Sequence, residues 1–170
     1  MSTTTNDLLA DAFDRIREAV HGAVDGLDGD QLAYRVDAEA NPIAWLVWHL
    51  TRVQDDHIAG VAGTPQVYPD GWAERFGLPF PQEAIGYGHG SDDVAAVRAG
   101  AEDLLGYQDA VHERVRGYVL GLADDDLRRV VDEAWDPPVT LAVRLVSVVD
   151  DAAQHAGQAA FVRGIVLRRS

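Results

Sequence analysis

The segment from Leu141 to Val166, LAVRLVSVVDDAAQHAGQAAFVRGIV, constrains this chain more than any other. It contains no proline and is long enough for about six or seven helical turns. Leu141, Leu145, Val148, Ala152, His155, Ala159, Val162 and Val166 recur at steps of three and four, the pattern of a buried helical stripe. Asp151 and His155 do not suit a plain core stripe. They lie four apart, so one turn separates them on the same face. An inward carboxylate and imidazole cost free energy unless paired. Either they satisfy each other or they hold a cation between them.

Three further helices are expected. Asn6 is a candidate cap for a first helix over roughly Asp7 to Leu27, following a polar tail at residues 1–5. Asn41-Pro42 opens a second, PIAWLVWHLTRVQDDHIAGVAG, with Leu46, Leu50, Val53, His57 and Val61 as its stripe. Residues 64–90 carry four of the seven prolines and several aromatics, which suggests a long ordered loop with a short helical piece near Trp72–Phe76. From Ser91 a regular seam of three- and four-residue steps runs to Leu122, predicting a third helix of about 28 residues. Gly100, Gly106 and Gly117 weaken it. A short turn at ADDDLRRVV and a rigid DEAWDPPVT connection lead to Thr140, a candidate cap for the fourth helix. The expected architecture is one all-α domain over residues 1–170, a four-helix bundle with a long connection between helices two and three.

Composition narrows the chemistry. The formal charge is 14 − 28 = −14, which argues against nucleic acid and against anionic membrane surfaces. No cysteine is present, so any metal must be held by histidine and carboxylate. The N-terminus shows no signal-peptide pattern and no apolar run is long enough to span a membrane, so a cytoplasmic location is the default expectation.

In a bundle, sites form between facing helices. His49 on helix two is the best third donor to join Asp151 and His155. Two imidazoles and one carboxylate are a common zinc set, and the same set suits iron or nickel. The competing reading is an Asp151–His155 hydrogen bond with His49 as a boundary residue. Around the helix axis Asp56 lies about 20° from His49 and His57 about 80° away. Asp56, His57 and the loop residue His89 are candidates for proton transfer, and Gln158 for binding a cofactor. His21 and His112 have charged neighbours on their helix faces and are given no role. Trp45, Trp48, Trp72 and Trp135 suit core or pocket wall.

The segments WLVWHLTRVQDDH at 45–57 and WDPPVTLAVRLVSVVDDAAQHAGQAAFVRG at 135–164 resemble the DinB-like superfamily. They are most similar to its DUF664 branch, related to mycothiol-dependent maleylpyruvate isomerases and bacillithiol transferases. The resemblance implies a four-helix bundle with a divalent metal on three residues, which fall on His49, Asp151 and His155. Many members have histidine or glutamate where this chain has the shorter Asp151. It also implies a transferase or isomerase that uses a low-molecular-weight thiol such as mycothiol on a small electrophile, with aromatics from residues 68–87 walling the pocket. The second reading is a non-catalytic metal-binding or stress-related bundle that dimerises. A homodimer suits the long amphipathic helices under either reading.

Overall fold

Four long helices carry the fold in the computed structural model, which describes residues 4–169. They are α1 (Thr5–Val24), α3 (Ile43–Ala62), α6 (Ala101–Leu120) and α7 (Leu141–Val166). Three short helices lie between them: α2 (Gly29–Leu32), α4 (Ala73–Phe76) and α5 (Ser91–Ala96). Helices α3 and α1 each pack against both α6 and α7, so α1 and α3 occupy one diagonal of the bundle. This is the expected all-α bundle, and its first two long helices are not neighbours. A single core runs through it, from Phe13 and Val20 on α1 to Leu145 and Ala152 on α7. Among the described residues no helix is long and apolar enough to cross a membrane.

The helix ends follow local chemistry, with shifts from expectation. Thr4, not Asn6, caps α1: its hydroxyl accepts the Asp7 N–H at 3.2 Å, and the Asp7 carboxylate accepts the Thr4 N–H at 2.9 Å. The Thr4 N–H, and the Thr4 hydroxyl donating to the same carboxylate at 2.8 Å, hold the Asp7 carboxyl below its ordinary pKa. Asn6 instead lies inside the helix and donates to the Leu122 carbonyl. The rest of the expected tail, residues 1–3, falls outside the described residues. Helix α1 stops at Val24, short of Leu27, and Gly26 turns the chain with φ 77°. Pro42 takes the cap position of α3 that Asn41 was expected to fill. Thr140 caps α7, and α7 has the expected bounds.

The third expected helix is two. The chain leaves helical geometry after Ala96, buries Val97 in the core, and restarts with Gly100 as the cap of α6. The seam spacing survives the break, which is why the interruption was invisible to periodicity. The DEAWDPPVT connection forms part of a small antiparallel pair, β1 (Val130–Asp132) and β2 (Val139–Thr140), too short to show alternation.

The largest departure concerns α3. Its expected stripe named one face, yet residues 43–55 are buried all round. The loop over residues 64–90 wraps the face that periodicity assigned to solvent. What draws it there is a buried ion pair, Arg52 and Asp55, with Nη1 and Oδ2 3.5 Å apart. The Asp55 carboxylate accepts the Val67 and Tyr68 N–H groups and the Tyr107 hydroxyl, each at 2.8 Å. Arg52 donates to the Ala84 carbonyl at 3.1 Å, the Gln82 carbonyl at 2.9 Å and the Gln66 side chain at 2.8 Å. Its guanidinium also lies over the Tyr68 ring, 4.2 Å from the centroid. Burial, with Asp55 alongside, pushes the Tyr107 hydroxyl well above its usual pKa, so it stays a donor.

Removing one partner of such a pair strands the other. Asp55→Ala should therefore cost about 3–5 kcal/mol of stability. Urea denaturation followed by circular dichroism measures it, and a loss under about 1 kcal/mol, the range of an exposed pair, would contradict the assignment.

Candidate metal centre

Helices α3 and α7 run antiparallel, because residue pairs that meet across them rise on one as they fall on the other. Leu46 shares a groove with Gln158, His49 meets His155, and His57 shares a cleft with Arg144. This pairing puts one donor from α3 opposite two from α7. His49, Asp151 and His155 each offer a ligand atom within 4.8 Å of the others. The imidazole rings of His49 and His155 stand 4.9 Å apart, nearly edge to face.

The buried stripe of α7 continues through Ala156, not His155. Asp151 and His155 lie at its margin, with side chains 22% and 19% exposed, so the donor group is reachable from solvent. They do not satisfy each other. His155 Nε2 and Asp151 Oδ1 are 3.6 Å apart, beyond hydrogen-bond range. Asp151 Oδ2 is buried with no partner. A buried carboxylate oxygen without a donor is costly unless something cationic completes it. The residues therefore fit a divalent ion.

The two histidines are prepared in the same way. The Nδ1–H of His49 donates to the backbone carbonyl of Ile85 in the wrapping loop. His155 Nδ1 lies 2.9 Å from Gln158 Oε1, an acceptor that holds the proton on Nδ1. In both rings the lone pair is left on Nε2, the arrangement that metal-ligating histidines use. Burial lowers the His49 pKa against the opposing effect of the Ile85 carbonyl, with His155 lowering it further, so the ring is biased toward the neutral, ligating form.

The loop closes on His49 at close range. Gly86 has φ 105°, and a Cβ there would lie 2.5 Å from His49 Nδ1. Only glycine brings the Ile85 carbonyl to the ring along this path. Tyr87 then stands edge-on to His49 with centroids 5.4 Å apart, while its own side remains open to solvent. Trp45 stacks on His49 at 4.6 Å.

The remaining candidates lie around this group. His89 sits 4.5 Å from Phe80 and 5.8 Å from Trp48, and its Nδ1 accepts the Trp45 indole N–H at 3.2 Å. It therefore braces the tryptophan that braces His49. Asp56 accepts a hydrogen bond from Gln66 at 2.8 Å, and its other oxygen is 3.9 Å from His57 Nδ1. Both line a cleft with Arg129 and Arg144 further along the seam. Burial, then the charge of Arg144, lowers the His57 pKa. Gln158 touches His155 and also lines the groove on the other side. His21 and His112 pair with Asp109 and Asp14, away from the site. Sequence reasoning missed the Arg52–Asp55 pair, Ile85 and Gly86. An arginine and an aspartate three apart on an apolar helix were a legible signal; a backbone carbonyl donated by a loop had none.

The family model described as mycothiol-S-transferase matches residues 8–166. A solved structure described as a conserved protein of locus from Enterococcus faecalis superposes with a TM-score of 0.91 at 28% identity, over 98% of this chain and 99% of that one. No curated protein matches the chain. A helical bundle with this organisation, matched over nearly its whole length, places the chain in the mycothiol-S-transferase family of DinB-like proteins.

Proposed function

We propose that this chain is a divalent-metal-dependent transferase that joins the sulfur of mycothiol to a small electrophile, with His49, Asp151 and His155 as the metal ligands. The observation that carries this reading is the unpartnered Asp151 Oδ2 beside two imidazoles whose Nε2 atoms are both free to ligate. Zinc suits the set best: three protein donors leave a position for an outside ligand. Solvent access to Asp151 and His155 favours a catalytic over a purely structural metal.

A divalent ion held there supplies a Lewis acid that lowers the pKa of a thiol to near neutrality or below. The chain's own residues bind, orient and handle the proton. Ile85 and Gln158 fix the two rings, and Trp45 shields one face of His49 from water. His57 is biased to its neutral form by burial and by Arg144, so it can accept the thiol proton, with Asp56 3.9 Å away to stabilise the charged ring. In the transfer the sulfur displaces a leaving group from the electrophile's carbon: the carbon–sulfur bond forms as the bond to the leaving group breaks, that group departs with the electron pair, and the proton lost from the thiol ends on this pair or in solvent.

Asp151→Asn and His155→Ala are expected to abolish stoichiometric metal binding, read by mass spectrometry of protein purified without chelator and after metal is added back. Retention of a full equivalent in Asp151→Asn would show the ligand set to be wrong. Gln158→Ala, which only frees the His155 ring, should weaken metal binding by about 10–100-fold.

Two glycines separate contact from strain. Gly86 and Gly88 both have positive φ, but only at Gly86 would a Cβ strike His49. Gly86→Ala should lower metal affinity and Gly88→Ala should not, as measured by competition with a chromogenic chelator. Equal losses in the two variants would mean that loop strain alone is responsible.

The metal-free protein should respond to pH through His49 and His57. Both have folded pKa values below the unfolded one, so their neutral forms favour the fold fully above about 6.5. That contribution is lost as pH falls from there through the folded values. Urea midpoints of chelator-treated protein should drop across this window, and less steeply in His57→Gln. Identical slopes for the two proteins would remove His57 from the account.

A further inference from the structure

The cleft that holds His57 runs against the charge of the molecule. The chain carries 28 acidic residues and 14 basic ones. Yet two guanidiniums, Arg129 and Arg144, line this one cleft of about 450 Å³, together with the apolar Val61, Val130 and Val131. The fold brings the two arginines there from separate elements. The Leu141 N–H donates to the Arg129 carbonyl at 2.8 Å, and Val130 pairs with Thr140. Arg129 therefore lies beside the first turn of α7, the turn that carries Arg144.

Both guanidiniums are tethered through a single terminal nitrogen. Arg144 Nη2 donates to the Asp132 carboxylate at 2.9 Å. Arg129 Nη2 donates to the Val61 carbonyl at 3.0 Å and to the Tyr118 hydroxyl at 3.3 Å, and among the described residues it pairs with no carboxylate. These tethers fix the two side chains and leave their Nε and Nη1 groups for a ligand. The one carboxylate lining the cleft, Asp56, accepts from Gln66 at 2.8 Å and stands 3.9 Å from His57.

The cleft and the donor group share one mouth. Arg144 and Asp151 are seven residues apart on α7, which puts them on one face about 10 Å apart along the axis. His57 and the Tyr87 hydroxyl both feel the charge of Asp151 from the donor group and the charges of Arg144 and Asp56 from the cleft. Guanidinium N–H pairs match the two oxygens of a carboxylate, and the valines accept hydrocarbon. An ammonium group would meet the unshared charge of Arg129. Resting on the function proposed above, we propose that this cleft is the subsite of the electrophile, and that it takes small organic electrophiles whose carboxylate, remote from the reacting carbon, docks on Arg129 and Arg144. The carboxylate is unchanged by the reaction. At the other end of the molecule the sulfur–carbon bond forms as the bond to the leaving group breaks, and that group departs with the electron pair.

Calorimetric titration of the zinc-loaded protein with 4-methylbenzoate and with its neutral counterpart 4-methylbenzamide isolates the subsite, because neither can react. The benzoate should bind about tenfold more tightly. Arg129→Gln and Arg144→Gln should each weaken the benzoate by about tenfold and leave both the benzamide and zinc affinity unchanged. Arg128→Gln removes the same charge next door, from an exposed arginine 3.6 Å from Asp125, and should change nothing. With mycothiol and 4-(bromomethyl)benzoate, which loses bromide, Arg129→Gln should raise KM and spare kcat, while 4-(bromomethyl)benzamide keeps both constants. Equal binding of benzoate and benzamide to the wild-type protein would overturn the subsite and leave the transferase reading intact. So would benzoate binding that survives in both arginine variants, which puts the carboxylate on the zinc, or an equal loss in Arg128→Gln. If the benzoate binds as expected but neither bromomethyl compound consumes mycothiol above the uncatalysed rate, the transferase reading falls and the electrophile role of the cleft falls with it.

Discussion

The buried Arg52–Asp55 pair is the interaction on which the rest depends. Two opposite charges inside a bundle are tolerated only when every remaining donor and acceptor is filled. The chain fills them with main-chain groups of the 64–90 loop, with the Gln66 side chain and with Tyr107. Satisfying the pair therefore pins the loop on α3. Once pinned, the loop delivers the Ile85 carbonyl to His49 and leaves its Nε2 facing α7. A pair of residues one turn along the helix thus settles the tautomer of an imidazole that it never touches.

The seam of α3 against α7 turns that preparation into a site. Asp151 and His155 sit at the edge of the α7 stripe, close enough to His49 to share an ion and exposed enough for a ligand to arrive. The donor group is rigid on one side, where Trp45, Trp48 and His89 are stacked or bonded in series. Along the seam it is flanked by two openings, one lined by Asp56, His57, Arg129 and Arg144 and the other by Leu46 and Gln158.

Much of this was legible in the sequence, for reasons that can be named. Periodicity found the long helices because burial on one face leaves steps of three and four. The absence of cysteine and the inward Asp151 and His155 directed attention to nitrogen and oxygen donors, and His49 followed from bundle geometry. What stayed hidden was whatever periodicity averages away. The break between α5 and α6 keeps the seam in phase. The all-round burial of α3 comes from a loop covering the face that carries Arg52 and Asp55, while Gln54 is buried against Gln108 of α6. The duty of Ile85 lies in its carbonyl, an atom every residue has. Gly86 looked like any loop glycine until a Cβ could be placed against His49.

The loop is held by backbone and side chains together: the carbonyls of Gln82, Ala84 and Ile85 and the amides of Val67 and Tyr68 bond to α3, while Val67, Tyr68 and Phe76 lie in the core and the Gln66 side chain bonds Arg52 and Asp56. The stretch that reaches His49, however, does so through a main-chain atom, the Ile85 carbonyl. The bond does not depend on the Ile85 side chain, whereas it does depend on Gly86, because any Cβ there meets the His49 ring. His49 is thus oriented by an atom that no substitution removes, and the cost of change falls on the one neighbour with no room for a side chain.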